Sequence, residues 1–449
     1  MADNVITNPA AGGALIATKD DGVAHHQKIL AEYTDMAGDA QAVTSRSGLP
    51  IVPADSHGVD GFGRFRVSEP TTLFNNKQLW DSQPLFWDDR ETAGAGTGSS
   101  HSTDTASTTM STSLNTAGTR VRQTFQRFNY QPGKSQLVVM TGVFGASVAG
   151  ITRRLGIFDD SNGLFFSQEG LTFKVVIRSS TSGSPVDDDV SQASWNLDTM
   201  DGTGPSGVTL DLSKAQVFML DYQWLGNGRV RFGIYSAGRI VYVHEFLREN
   251  VLTTPYMSTP NLPLRYEISS DAASPIASLA HTCVSVMTEG GAEGGGLTVA
   301  LTSGSTAISA ASVGTIYAIK GVRLKSTHLD AATEVENIEM LISAGANDMG
   351  EWLLIHNPAV ADTFTFSNVA DSPYQEATGN VLNVVTGGTI IDGGFVLPAR
   401  QGSSAFKKVP SALELGSSIA GVVDTLVLCF RPINTNVSVH GTLVMRERF

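Results

Sequence analysis

The sequence predicts an all-β protein with an extended N-terminal arm, a central β-sandwich of jelly-roll type and a smaller C-terminal β-sandwich. Three observations carry this expectation. Short apolar runs of strand length recur through most of the chain, many alternating with polar residues, as half-buried strands do. Gly, Asn, Asp and Ser punctuate these runs at intervals of about 8–12 residues, the spacing of sandwiches and jelly rolls. Finally, only 16% of the 449 residues are charged and 46 are glycine, whereas an average globular domain is roughly 25% charged.

Residues 1–60 read as the arm. Two strand-like pieces, around Ala14–Thr18 and Gln27–Tyr33, are separated by a polar turn. "AGDAQAVTSRSGLPIVPADSHGVDGFG" then shows Pro, Gly and small residues without periodicity, a composition that orders mainly against a partner. Residues 61–330 form the predicted central domain. Phe74, Trp80, Phe86 and Trp87 supply aromatic anchors at its start. The low-complexity stretch at 91–118 reads either as a disordered linker or as a polar strand pair on a sheet edge; the strand pair is preferred, because Thr tolerates strands well and the alternating "RVRQTFQRF" follows. "KSQLVVMTGVFG", "TRRLGIFDD", "GLFFSQEG" and "LTFKVVIRSS" follow as successive strands, and "TIYAIKGVRLKS" is expected to pair back onto the same sandwich. Residues 331–449 are the second sandwich, in which "DAATEVENIEMLISA" suits either a helix or a strand.

The most strongly patterned stretch is Ala215–Phe246. Phe218, Leu220, Tyr222 and Trp224 share one face, and Val217, Met219, Asp221 and Gln223 the other, because side chains alternate along a strand. Both faces begin apolar, which places the strand inside a sheet. Gly226–Gly228 ("GNG") predicts a type I′ turn at Asn-Gly. Val230, Phe232 and Ile234 then alternate, "SAGR" turns the chain again, and Ile240, Tyr242, His244 and Phe246 continue one face.

Charge narrows the function classes. The formal net charge of −13 argues against nucleic acid, whose phosphates demand clustered Lys and Arg, and against docking on an anionic membrane. No run approaches the ~18 apolar residues of a membrane span. "MADNVITNPAAGG" has no basic region leading into an apolar one, so the expectation is synthesis in a cytoplasm and no signal-directed secretion. The two cysteines, Cys283 and Cys429, lie in apolar settings and read as buried thiols rather than a disulfide.

Catalytic spacings are sparse. There is no G-x-S-x-G elbow, H-E-x-x-H pair, P-loop, dinucleotide fingerprint or zinc knuckle. His244 neighbours Glu245, but adjacent strand residues face opposite ways and cannot simply pair. Glu351 and His356 stand on one predicted strand without a second ligand. Asp159, Asp160 and Asn162 offer oxygens that Ca²⁺ could use, although the same residues make a hairpin turn. "PVDDDV" (185–190) reads as a solvated loop. No strand carries an E-x-D-x-x-E pattern for sugar hydrolysis. No cofactor, catalytic or metal residue is assigned, and the chain is not expected to be an enzyme.

Two stretches carry a resemblance. "GALIATKDDGVAHHQKILAEY" (Gly13–Tyr33) resembles the N-terminal segment of many tailed-bacteriophage virion proteins, with "GVAHHQ" where that pattern usually has Gly-Gly and His-Tyr. The block from Arg153 to Ile268 resembles a domain of phage structural proteins, and its strand pattern is similar to concanavalin-like or laminin-G-like jelly rolls, which bind glycans in other proteins. The resemblance implies a virion structural protein of tail, baseplate or fibre type, located in the particle, docked to other virion proteins through its arm and assembled as a homo-oligomer, a trimer by the habit of fibres. The alternatives are a host-glycan-binding protein using Trp224, Tyr222 and Tyr242, a capsid decoration protein, or a glycan-cleaving spike.

Overall fold

Alternation along the central runs buries one row of side chains, so each strand needs a facing layer, and the chain supplies it twice. The computed structural model describes residues 70–291, 295–343, 349–396 and 414–448, together with the backbone of short strands within 4–42. Among the described residues the fold is built from antiparallel strands, with a single 3₁₀ turn at Gln192–Ser194.

The first sandwich packs two sheets. One has seven strands in the order Val186–Ser191, Thr172–Ser179, Gly163–Glu169, Ile151–Phe158, Leu264–Ser270, Gly118–Thr124 and Trp87–Gly94. The other runs Arg239–Phe246, Val230–Ser236, Gln216–Tyr222, Ser135–Val143, Ser278–Glu289, Ser107–Thr112 and Thr97–Ser102, with Pro70–Lys77 also paired to Ser278–Glu289. Inward residues of both sheets meet in one apolar core reaching from Phe74 to Val286. Aromatic rings run through its middle: Phe144 contacts Phe173 at 5.3 Å and Phe218 at 5.2 Å, and Phe166 contacts Phe218 at 5.0 Å and Phe232 at 5.3 Å. Such pairs contribute about 0.5–1.5 kcal/mol each beyond area burial.

The second sandwich packs a six-stranded sheet (Ser367–Asn368, Tyr374–Thr378, Tyr317–Leu324, Thr425–Pro432, Gly350–His356, Thr389–Val396) on a four-stranded one. The latter gathers Leu297–Thr302, Ile308–Ala310 and Ala332–Ile342 around the long strand Val437–Arg448. Residues from Leu301 to Met445 share the core between them.

The all-β class and the jelly-roll sandwich agree with the sequence reading, and several details differ. Tyr317–Leu324 pairs with Thr425–Pro432 and Tyr374–Thr378, so it joins the second sandwich instead of folding back on the first. Ala332–Ile342 is a strand. The polar stretch at 97–112 is a hairpin at a sheet edge, as expected. "VDDDVS" is an edge strand, Val186–Ser191, and not a loop. The "GNG" turn sits one residue early: Leu225 (φ +36°) and Gly226 (φ +86°) take the left-handed positions, and Asn227 does not. Along Arg239–Phe246 the register shifts opposite Phe232 and Gly233. This bulge puts Val241 and Val243 toward the core before it and Phe246 after it, so Tyr242 and His244 do not share a face.

Residues Met1–Ser56 form a separate unit. Asn4–Ile6, Leu15–Asp20 and His25–Gln27 make a three-stranded antiparallel sheet, and Glu32–Thr34 pairs with Ala40–Ala42. The first expected strand piece thus recurs at Leu15–Asp20, and the second divides into His25–Gln27 and Glu32–Thr34. The rest of the expected arm lies outside the described residues.

Candidate functional site

Two surfaces of the first sandwich carry enough chemistry to be considered. The first is the outward face of the seven-stranded sheet. Gly156 and Phe165 stand side by side in neighbouring strands, and so do Phe165 and Val176. Phe158, Phe165 and Val176 form a small outer apolar cluster, each nearly or fully buried. Their cover is made of guanidinium groups: Arg154 and Arg178 lie 5.7 and 5.1 Å from the Phe165 ring centroid, and Arg265 lies 5.2 Å from that of Phe158. Arginine suits this position because its planar, weakly hydrated group stacks on a ring while its edge still donates.

Each of these cations is held by carboxylates. Arg154 Nη1 donates to Glu267 Oε1 at 2.9 Å, and Arg265 Nη2 to Glu267 Oε2 at 2.7 Å. Arg178 grips both oxygens of Asp187 at 2.8 and 2.9 Å. Lys174 bridges Glu169 at 2.9 Å and Asp189 at 3.2 Å. Its hydrogen bond to Glu169 raises the Lys174 pKa. On Glu169 burial is the largest single influence and opposes its charge, but the hydrogen bond and charge of Lys174, the Ser167 hydroxyl and Arg154 together outweigh it and hold Glu169 below the usual carboxylate range. A general acid in glycoside hydrolysis needs the opposite, a raised pKa.

The second surface is a recess of about 240 Å³, lined by Ile177, Ser179, Thr181, Ser182, Val186, Asp188, Arg248, Leu252, Thr254, Pro255 and Tyr256. It lies where an edge of each sheet meets the other. Val186–Ser191 ends the seven-stranded sheet, and Arg239–Phe246, from which Arg248 follows, ends the eight-stranded one. Asp188 stands opposite Ile177 and therefore on the core side of its strand. Arg248 reaches across the seam to pair with Asp188 and lies 4.8 Å from the Phe246 ring centroid.

The residues singled out in the sequence distribute as follows. His244 is buried; its Nδ1 accepts from the Asn196 backbone N–H at 3.1 Å, and its ring packs on Phe246 at 4.6 Å. Burial pushes its pKa down to about 4. Glu245 faces away and pairs with Arg229. Glu351 pairs with Arg431, while His356 lies 3.6 Å from Asp424, so the two do not converge. Asp159 Oδ1 accepts from the N–H groups of Ser161 and Asn162 at 2.7 and 2.8 Å, Asp159 Oδ2 from Arg127 at 2.7 Å, and Asp160 from Arg265 at 2.7 Å. The Asn162 oxygen accepts from the Ser258 backbone at 3.0 Å. These oxygens serve a turn and two ion pairs. Among the described residues no group of three or more His, Cys, Asp or Glu could hold a metal ion.

The aromatic trio is not a platform. Tyr222 is fully buried with its hydroxyl on Gln136. Trp224 is half-buried and donates to the Met257 carbonyl at 3.1 Å, and Tyr242 donates to Asp221 at 3.0 Å. Cys283 and Cys429 are free thiols; Cys429 is buried as expected, whereas Cys283 is only partly buried. Sequence reasoning missed the recess altogether. Most of its residues come from two stretches, "SSTSGSPV" and "LRENVLTTPY", joined by Ile177 and Asp188 on neighbouring strands, and only the closing of two sheet edges brings them together.

These faces define an all-β protein of packed antiparallel sheets whose larger part is a jelly-roll sandwich. No protein-family model matches the chain, and no curated protein matches its sequence. About half of the chain is similar to solved structures. One is a glycosyl hydrolase family 16 protein from Mycobacterium smegmatis, 10% identical with a TM-score of 0.34, covering 48% of this chain and 100% of that one. Another is the CBM2 module of the evolved Dit of Lactobacillus casei BL23 phage J-1, 8% identical with a TM-score of 0.33, covering 50% and 99%. A third is a legume lectin-like domain from Entamoeba histolytica, 6% identical with a TM-score of 0.30, covering 49% and 98%.

Proposed function

We propose that this chain is a structural component of a tailed-bacteriophage particle, a tail, baseplate or fibre protein that works by assembly and not by catalysis. One observation carries the reading: the broad outer face of the seven-stranded sheet is closed by its own charges. Glu169, Glu267, Asp187 and Asp189 are each paired with Arg or Lys, so the face is a wall whose carboxylates are already bound to cations. The resemblance of Gly13–Tyr33 and of the block from Arg153 to Ile268 to phage structural proteins supports the same reading. On it, the N-terminal residues dock into the particle and the sandwiches form the body of a homo-oligomer, a trimer.

Mass spectrometry of purified particles from the phage encoding this chain tests the proposal. The chain is expected at structural stoichiometry, and its absence from particles that are otherwise complete would overturn the reading. Light scattering of the isolated chain reads the oligomer, with three copies expected.

A second reading, binding of a host-surface glycan, is favoured by the recess at the sheet seam. It combines hydroxyls, a carboxylate and an apolar floor, the usual make-up of a small-molecule site. Binding of the isolated chain to a glycan array tests it, and an array without a single bound glycan rejects it.

A further inference from the structure

The recess is specific enough to name its ligand class, and the inference rests on the glycan-binding reading. We infer that it takes one neutral pyranose unit of a glycan, with Asp188 as the acceptor for neighbouring hydroxyls. Four features of the wall lead there.

The first is size. A volume of about 240 Å³ falls below the roughly 300–1,000 Å³ of drug-sized pockets, which suits a single ring and not an oligosaccharide or a peptide segment. The second is the carboxylate. Asp188 is half exposed, and Arg248, mostly buried, holds it from the side of the protein. An ionised, oriented carboxylate has lone pairs to spare after one cation is bound and accepts two hydroxyl protons readily. The third is the mixture around it. Ser179, Thr181, Ser182 and Thr254 present hydroxyls that both donate and accept, while Val186, Leu252 and Pro255 give an apolar surface for the C–H face of a ring. Val186 is 56% exposed, an apolar side chain left open at the mouth. The fourth is charge. The one cation among the lining residues, Arg248, is already paired with Asp188, which disfavours an acidic sugar and leaves a neutral one.

The placement also separates this site from the sheet faces. The outer face of the seven-stranded sheet is sealed by its arginines, and Tyr222, Trp224 and Tyr242 are buried or bonded, so the seam is where hydroxyls and a carboxylate meet apolar surface.

Saturation-transfer difference NMR of the full chain with glucose, galactose, mannose and N-acetylglucosamine, and with glucuronate as the charged control, tests the inference. At least one neutral sugar is expected to bind in the millimolar range and glucuronate at least 10-fold more weakly. Asp188→Asn removes the charged acceptor and Val186→Trp fills the mouth; each is expected to weaken binding at least 10-fold. Asp187→Asn, on the opposite face of the same strand, is expected to leave it unchanged. Circular dichroism confirms that the variants are folded. Binding that survives both Asp188→Asn and Val186→Trp overturns the recess while leaving the glycan reading intact. Absence of binding to every sugar here, with a positive glycan array, overturns the single-pyranose inference alone. Absence in both overturns both readings.

Discussion

Asp221 and Arg231 face each other across neighbouring strands of the eight-stranded sheet, with neither side chain exposed to solvent. The carboxylate also accepts from Ser135 Oγ at 2.6 Å and from the Tyr242 hydroxyl at 3.0 Å, while the Arg231 guanidinium lies 4.2 Å from the Tyr242 ring centroid. Two charges taken from water are held by their mutual bond and by neighbours that complete it. Removing one partner strands the other, at a cost of about 3–5 kcal/mol. Asp221→Asn and Arg231→Met are therefore each expected to lower the denaturant midpoint strongly. The double variant Asp221→Leu/Arg231→Met is expected to be more stable than either single one, and guanidinium unfolding curves read the difference.

The shifted hairpin turn gives a stabilising prediction. Leu225 is 51% exposed yet holds φ +36°, a left-handed conformation that costs a branched apolar residue about 1–2 kcal/mol. Asparagine visits that region more readily. Leu225→Asn is expected to raise stability by about 0.5–1 kcal/mol, and Gly226→Ala, at φ +86°, to lower it by about 1 kcal/mol. Thermal melts of the two variants check both signs.

Acid sensitivity follows from the buried histidines. In the folded chain burial holds His244 at about 4, helped by Arg248 and opposed by Glu245 and Asp188. Unfolded, the same ring titrates near its ordinary value of about 6.5. A depressed pKa means that the unfolded state takes the proton first. The contribution is thus fully present above about pH 6.5 and is lost as pH falls toward 4, by up to ~1.4 kcal/mol per pH unit. His281, buried against Arg122 and pushed well below its ordinary value by that burial, acts with the same sign. Urea midpoints measured from pH 7 to pH 4.5 are expected to fall steadily, and His244→Gln to make the slope shallower.

Thiol reactivity should separate the two cysteines. Cys429 is fully buried and its thiol is pushed up by that burial, whereas Cys283 is only partly buried, beside the Thr141 hydroxyl at 3.4 Å. Ellman's reagent is expected to leave Cys429 untouched in the native chain, to react slowly at Cys283 and to titrate both thiols after unfolding without reductant.

Calcium is expected to leave the melting temperature unchanged. Asp159 and Asp160 are already committed to Arg127 and Arg265, and a cation would have to displace both. Calorimetry with millimolar Ca²⁺ and with chelator checks this.

The sequence by itself determined much of the strand inventory, though not Val186–Ser191 or the strand state of Ala332–Ile342, and the faces of most strands. Alternation is a property of one strand with period two, so Phe218, Leu220 and Tyr222 could be read as a core row and are one. It determined the free thiols in the same way, from local apolar surroundings. Where one extra residue breaks the period, local reading fails, which is why Tyr242 and His244 were assigned to one face and a bulge separates them. Tertiary structure alone decided which strands pair. Nothing local in "TIYAIKGVRLKS" distinguishes a partner at Thr425–Pro432 from one in the first sandwich, since backbone hydrogen bonds are the same in either sheet. It also decided the fate of the charges. Arg122, Arg231 and Asp221 look like surface residues until neighbouring strands supply Asp89, His281, Ser135 and Tyr242 to receive them. The recess has the same origin: Asp188 and Arg248 are sixty residues apart in sequence and meet because two sheet edges close on one seam.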